Sequence, residues 1–181
     1  MLKGHVFSLQ TFTNGECAYL IDKLLNGNSG ILRGCTISKT NDSVTIAAGE
    51  FIVKGRPMQI IGNQTISDIT TNGYYSLICE IDLSKINTES QLNQAVIKTL
   101  YGSSAYPSLT QQDLFDDGTV YQYEFARFRV ASGSITDLTD RRTTLDMRLL
   151  KNGGTTNGDY TFDGNIIADN ISNSNRSKSS L

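Results

Sequence analysis

From Gly30 onward the chain alternates apolar and polar residues with a period of two, broken by turns at intervals of about ten residues. Ile31 to Ile37, Val44 to Ala48, Phe51 to Lys54 and Met58 to Ile61 each fit this pattern, and Thr40-Asn41-Asp42, Gly49-Glu50 and Gly55-Arg56-Pro57 separate them. Short segments at that spacing pack as a sandwich or barrel, because nothing between them is long enough for the helix of a βαβ unit. The alternation is clearest from Tyr74 to Leu83. There Tyr75, Leu77, Cys79, Ile81 and Leu83 are apolar while Ser76, Glu80 and Asp82 lie between them. That pattern predicts a strand with one buried and one wet face. Ala95 to Tyr101 and Thr119 to Val130 read as further strands. In the latter, Tyr121, Tyr123 and Phe125 fall on one face and Phe128 and Val130 on the other. Ser108 to Phe115, with its cap-like Thr110-Gln111-Gln112-Asp113, reads as a short helix.

One helix precedes the strands. Thr13-Asn14-Gly15-Glu16 matches a capping box, in which the Thr oxygen takes one free N–H and the Glu carboxylate takes another. Cys17, Leu20, Ile21, Leu24 and Leu25 recur at helical spacing and predict a buried stripe. Gly27 is placed to stop the helix in the left-handed region.

The alternation ends near Leu150, which divides the chain into a β-rich domain over residues 1–150 and an extension over 151–181. Asn, Ser and Gly fill 15 of the last 30 positions, too polar a mix to form a core. Two apolar islands, Tyr160-Thr161-Phe162 and Ile166-Ile167-Ala168, flank the turn-forming Asp163-Gly164. A hairpin of that size is marginal alone. Tyr160, Phe162, Ile166, Ile167 and Ile171 are therefore expected to bury themselves against another chain, as an oligomer interface.

Catalytic chemistry finds little to work with. His5 is the single histidine, and three cysteines at 17, 35 and 79 have no paired spacing, so neither a nucleophile–base pair nor a zinc site is indicated. The cysteines read as buried free thiols. Gly27-Asn28-Ser29-Gly30 follows a helix rather than a strand and lacks a closing Lys-Ser/Thr, which rules out a phosphate loop. Asp116-Asp117, Glu80-Asp82 and Asp137-Asp140 are close in sequence, as a glycosidase's acid pair must be close in space, but solvated turn and strand carboxylates look the same. Asp116-Asp117-Gly118 lacks the alternating ligands of a calcium loop. The reading is a non-enzyme without cofactor or metal. A net charge of −2 and the absence of a basic run argue against nucleic acid. No stretch reaches a membrane span, and the first residues lack the profile of a signal peptide, so synthesis in a cytoplasm is expected. Asp140, Arg141 and Arg142 form the one charged cluster with a structural look. Acids and arginines at a strand end can pair bidentately and fix a corner or a subunit contact. The aromatics Tyr121, Tyr123 and Phe125 read as core; exposed, they would stack on a saccharide.

The order of segments resembles a group of phage tail and baseplate structural proteins from Gram-positive hosts. The resemblance is carried by M-L-K-G-H-V-F-S-L-Q-T-F-T, L-L-N-G-N-S-G-I-L-R-G-C, G-E-F-I-V-K-G-R-P-M-Q, L-T-Q-Q-D-L-F, Y-Q-Y-E-F-A-R-F-R-V and I-T-D-L-T-D-R-R-T-T-L-D, across residues 1–150. N-G-D-Y-T-F-D-G-N-I-I-A-D-N-I-S resembles the shaft-entry motifs of trimeric tail fibres. The resemblance implies a virion component: a homotrimer whose β-rich attachment domain docks on other tail or baseplate proteins, with a fibre-like extension leading to host-recognition elements. It differs from typical fibres, which continue for hundreds of residues beyond such a motif. That departure implies a compact adaptor, or a distal receptor-binding protein supplied by another chain. Contractile bacteriocins use the same parts. The alternative expectation is a module that itself binds a host cell-wall glycan through Tyr121 or Tyr123.

Overall fold

The computed structural model describes residues 13–145. The chain divides into a unit of residues 1–147 and another of residues 148–181, and the described residues belong to the first. The fold is mainly β, with one short helix near the N-terminus and three antiparallel sheets.

Helix α1 spans Asn14–Leu24, and both halves of its capping box are formed. The Glu16 N–H donates to Thr13 Oγ1 at 3.2 Å, and the Thr13 N–H donates to Glu16 Oε2 at 2.9 Å. Gly27 is left-handed as expected, and its N–H donates to the Asp22 carbonyl at 2.8 Å. The buried stripe is not the expected one. Leu20 is 42% and Leu24 78% exposed, whereas Ala18 and Asp22 are buried. The cause is Gly55: any Cβ there would overlap the Ala18 carbonyl oxygen, so the helix lies backbone-close on this turn along its small-residue side.

The strands are β1 (Gly30–Gly34), β2 (Ile37–Lys39), β3 (Val44–Ile46), β4 (Gly49–Val53), β5 (Arg56–Ile60), β6 (Gln64–Ile66), β7 (Gly73–Asp82), β8 (Ala95–Gly102), β9 (Val120–Ala131) and β10 (Ser134–Asp140). They pair in the orders β1-β4-β5, β2-β3-β6 and β10-β9-β7-β8. Lys54-Gly55 and Ser132-Gly133, all with positive φ, close the β4–β5 and β9–β10 hairpins. Two-residue loops of that handedness match the twist of the strands they join. Pro57 is tolerated because β5 is an edge strand.

One core spans all three sheets: Phe51 and Ile60 from the first, Val44 and Ile46 from the second, and Leu77, Cys79, Phe125 and Phe128 from the third. Phe51 meets Phe125 edge-on, with ring centroids 5.2 Å apart. Each such fully buried side chain contributes about 1.5–3 kcal/mol.

The sequence pattern put Phe125 and Phe128 on opposite faces, yet both are fully buried in this core. A β-bulge is responsible. Leu77 pairs with Ala126 but Ile78 pairs with Glu124, so β9 holds one extra residue and its parity reverses at that point. Phe125 is that extra residue, and Tyr123 before it and Ala126, Phe128 and Val130 after it all enter the same core.

The wet face expected for β7 is also largely buried, with Ser76 and Ile78 at 0% exposure. The connection from β8 to β9 crosses it. Tyr106 packs edge-on against Tyr74, the Arg127 guanidinium lies over the Tyr106 ring, and Thr110 and Gln112 bond to Gln122 and Val120 along the free edge of β9. Residues 108–115 contain no helix; a tight turn follows Asp113, whose carboxylate accepts the Phe115 N–H at 3.0 Å. Of the cysteines, Cys35 and Cys79 are buried and free, and Cys17 is free but exposed.

Candidate functional site

The Asp140-Arg141-Arg142 cluster lies where the chain leaves β10. The Arg142 N–H donates to Asp140 Oδ1 at 2.9 Å, which turns the chain back on itself. Its Nε donates to both Asp140 oxygens, at 2.9 and 3.1 Å, and Nη2 bonds to Oδ2, completing a bidentate pair. The remaining Nη1 donates to the Cys35 carbonyl, across the fold from β10. Gly34 and Cys35 both have positive φ, a kink that separates β1 from β2 at this contact. Arg142 thus joins the end of the β10 sheet to the β1–β2 corner.

Past Arg142 the chain continues the closure. The Thr143 N–H donates to the Tyr123 hydroxyl at 3.2 Å. The Ile31 N–H donates to the Thr143 carbonyl at 2.7 Å, and the Leu145 N–H to the Ile31 carbonyl at 2.8 Å. Residues 143–145 therefore run parallel to β1 and cover its edge. The approach is close enough that a Cβ at Gly30 would collide with the Thr143 carbonyl oxygen. That is the reason for glycine at this position.

Arg141 takes a different direction. It pairs with Glu124 Oε2 at 3.5 Å, while Arg127 Nε holds Glu124 Oε1 at 2.7 Å and Ser76 Oγ donates to that same oxygen at 2.6 Å. Glu124 is only 8% exposed, so a buried carboxylate is satisfied by two arginines and a hydroxyl. Sequence reasoning missed Glu124 and the Cys35 carbonyl. An acid inside the otherwise apolar Y-Q-Y-E-F-A run was the available signal for Glu124; a backbone acceptor leaves none.

The electrostatics are those of a staple. The Arg142 hydrogen bond holds the Asp140 carboxyl below its ordinary pKa, against a smaller opposing effect of burial. Asp140 in turn raises Arg142. Burial raises the Cys35 thiol, only partly offset by Arg142, so no reactive thiolate forms here. Burial also raises Tyr123, whose hydroxyl is engaged by Thr143.

The other sequence candidates resolve into structural roles. Glu80 is bonded by Lys98 at 2.8 Å and by Gln122 at 2.7 Å. Asp82 accepts from the N–H and hydroxyl of Ser84. Asp116, Asp117 and Asp137 are exposed. The stripe of Tyr121, Tyr123 and Phe125 is not a stacking platform: Tyr123 and Phe125 are core, and Lys54 Nζ caps the half-buried Tyr121 ring at 5.3 Å. Among the described residues no three His, Cys, Asp or Glu side chains are grouped to hold a metal, and no helix is long and apolar enough to cross a membrane. His5 and the expected interface residues Tyr160, Phe162, Ile166, Ile167 and Ile171 lie outside the described residues.

Comparison of the chain with protein-family models and with curated proteins finds no match.

Proposed function

We propose that this chain is a non-enzymatic structural subunit of a phage or phage-derived tail, an oligomeric attachment piece between the tail or baseplate and host-recognition elements. The observation that carries this reading is the stapled exit of the β domain. Asp140, Arg142 and Tyr123 hold residues 143–145 against β1, so the chain up to Leu145 is fixed to the domain by a bidentate ion pair, a hydrogen bond to the Tyr123 hydroxyl and two sheet-type hydrogen bonds. A fixed exit of that kind suits a domain that transmits load to an extension. The extension supplies the second element: strand-patterned residues too few to shelter themselves, which neighbouring copies would bury. Three copies, the tail and baseplate partners and the virion location follow from the family resemblance.

The test is the mass in solution of the whole chain and of a chain ending at Leu150. A trimer that becomes a monomer on truncation is the expected outcome. A monomer in both cases at micromolar concentration overturns the reading.

A further inference from the structure

On the face of β9 that the β8–β9 connection crosses, two arginines converge on one acid, and their charge is only half balanced. Arg127 Nε holds Glu124 Oε1 at 2.7 Å, and Arg141 Nε approaches Oε2 at 3.5 Å. Ser76 Oγ also donates to Oε1, at 2.6 Å, so the carboxylate is fixed from three sides. Neither arginine has a second acid within ion-pair distance among the described residues. Two positive charges therefore share one negative charge. The surplus continues along the strand. Arg129, two residues on, is exposed and forms no ion pair among the described residues, and Asp137 stands opposite it on β10. Three arginines on this stretch thus face two carboxylates, Glu124 and Asp137. The donors are underused as well. Nε is the single side-chain donor of Arg127 that makes a hydrogen bond, and Arg141 makes none among the described residues. Both leave the two-nitrogen edge of the guanidinium unbonded. The side chains are 33% and 50% exposed, whereas that of Glu124 is 8% exposed, so the anchor is hidden and the forks are open.

We propose that Arg127 and Arg141 form a binding site for a tetrahedral oxyanion, phosphate or sulfate. The free edge of a guanidinium is a planar fork that matches the oxygens of such a group. Tethered to one carboxylate, the two guanidiniums are close enough to share a second small anion on their solvent side. A planar carboxylate is filled by one fork, whereas a tetrahedral anion has oxygens in more than one plane and can accept from two. Such an anion would also neutralise the charge that Glu124 leaves over. The site is organised in advance. The Arg127 guanidinium lies over the Tyr106 ring at 5.2 Å, and that ring packs edge-on against Tyr74 at 5.1 Å. Arg127 is thus held by its Nε and by its flat face, and little side-chain freedom remains to be lost on binding. Glu124 and Ser76 act as positioning residues, because they orient the arginines and do not face the anion.

The test is a titration of the isotope-labelled full chain with sodium phosphate and, separately, with sodium sulfate at constant ionic strength. NMR follows the Nε signals of Arg127 and Arg141. With at least one of the two anions both signals are expected to shift to saturation, at one common half-saturating concentration; the lower concentration identifies the preferred anion. Arg141→Gln leaves Glu124 bonded to Arg127 and Ser76, and should raise the half-saturating concentration read at Arg127 at least about tenfold. Arg33→Gln removes another exposed arginine, one paired with Glu50, and should leave that concentration unchanged. Shifts that never saturate with either anion overturn the proposal, as does an equal loss in Arg33→Gln, which would mark a response to overall charge. Acetate saturating the site at an equal or lower concentration also overturns it, since the site would then be one for carboxylates. None of these measurements depends on how many copies of the chain associate.

Discussion

The two faces of the β10-β9-β7-β8 sheet are both largely covered along β7 and β9, but they are held by opposite means. On one face Leu77, Cys79, Ile81, Phe125 and Phe128 pack against the facing sheets, and volume is what matters. On the other, Ser76, Glu124, Arg127, Glu80, Lys98 and Gln122 form hydrogen-bonded and ionic chains under the β8–β9 connection. A buried strand face therefore need not be apolar, provided each polar atom finds a partner. The dry face should respond to lost volume and to inserted polarity. The polar face should respond to lost charge.

The largest effect is expected from Phe125→Ala. Phe125 is fully buried, contacts Phe51 and Tyr123 edge-on, and is the extra residue of the bulge, where the strand has little freedom to collapse into the gap. The expected loss is about 3–5 kcal/mol, read as a lower urea midpoint at unchanged slope. A loss below about 1 kcal/mol would mean that this face is not close-packed, and the contrast between the faces would fail.

That contrast was only half legible in the residue order. The odd positions of β7, the capping box at Thr13 and Glu16, and the left-handed Gly27 all follow from local pattern, and the structure contains them. The bulge in β9 does not follow from local pattern. In Y-Q-Y-E-F-A-R-F-R-V the large apolar residues change parity between Phe125 and Phe128, which strict alternation reads as two opposite faces, and only the pairing with β7 shows that one residue is absorbed. The outward turn of Leu20 and Leu24 was equally hidden, because the helix takes its orientation from a glycine distant in sequence, at Gly55. Thr110 to Asp113 carries a helix-cap composition, but Gln112 spends its side chain on the N–H groups of Thr119 and Val120 and leaves no helix to cap. At the exit corner the Asp140–Arg142 pair was readable from spacing, whereas its acceptor at the Cys35 carbonyl was fixed by tertiary structure alone.

A pair of near-isosteric changes sharpens the comparison at intermediate size. Cys79→Ser places a hydroxyl on the dry face, where the thiol is 1% exposed and burial drives its pKa up to about 12. The sulfur's contact there is the Met58 thioether at 3.9 Å, a weak acceptor for a hydroxyl. The expected cost is about 1–3 kcal/mol. Ser76→Ala, the mirror change on the polar face, removes one of three donors to Glu124 and leaves both arginines in place. It should cost about 1 kcal/mol or less. Thermal midpoints of the two variants measured side by side decide the matter, and a reversed order would show that the polar network, not the packing, is the more exacting face.

The smallest effect is the response to acid, and of the two faces only the polar one takes part in it. Burial pushes the Glu80 carboxyl up, but hydrogen bonds from Lys98 and Gln122 together outweigh it and hold the group below its ordinary value of 4.5. With the folded value depressed, the unfolded chain binds the proton more readily, so this contribution is complete above about pH 4.5 and is lost as pH falls through the folded value. Lys98 is 39% exposed, so solvent screening keeps the contribution modest. Glu80→Gln should therefore lower the thermal midpoint slightly at pH 7 and make its decline below about pH 4.5 shallower, with the residual slope left to groups such as Glu50, Asp82 and Asp140, whose carboxyls are also held low. Phe125→Ala should instead lower the midpoint without changing that slope. If the two variants gave the same pH profile, charge would not be what distinguishes one face of the sheet from the other.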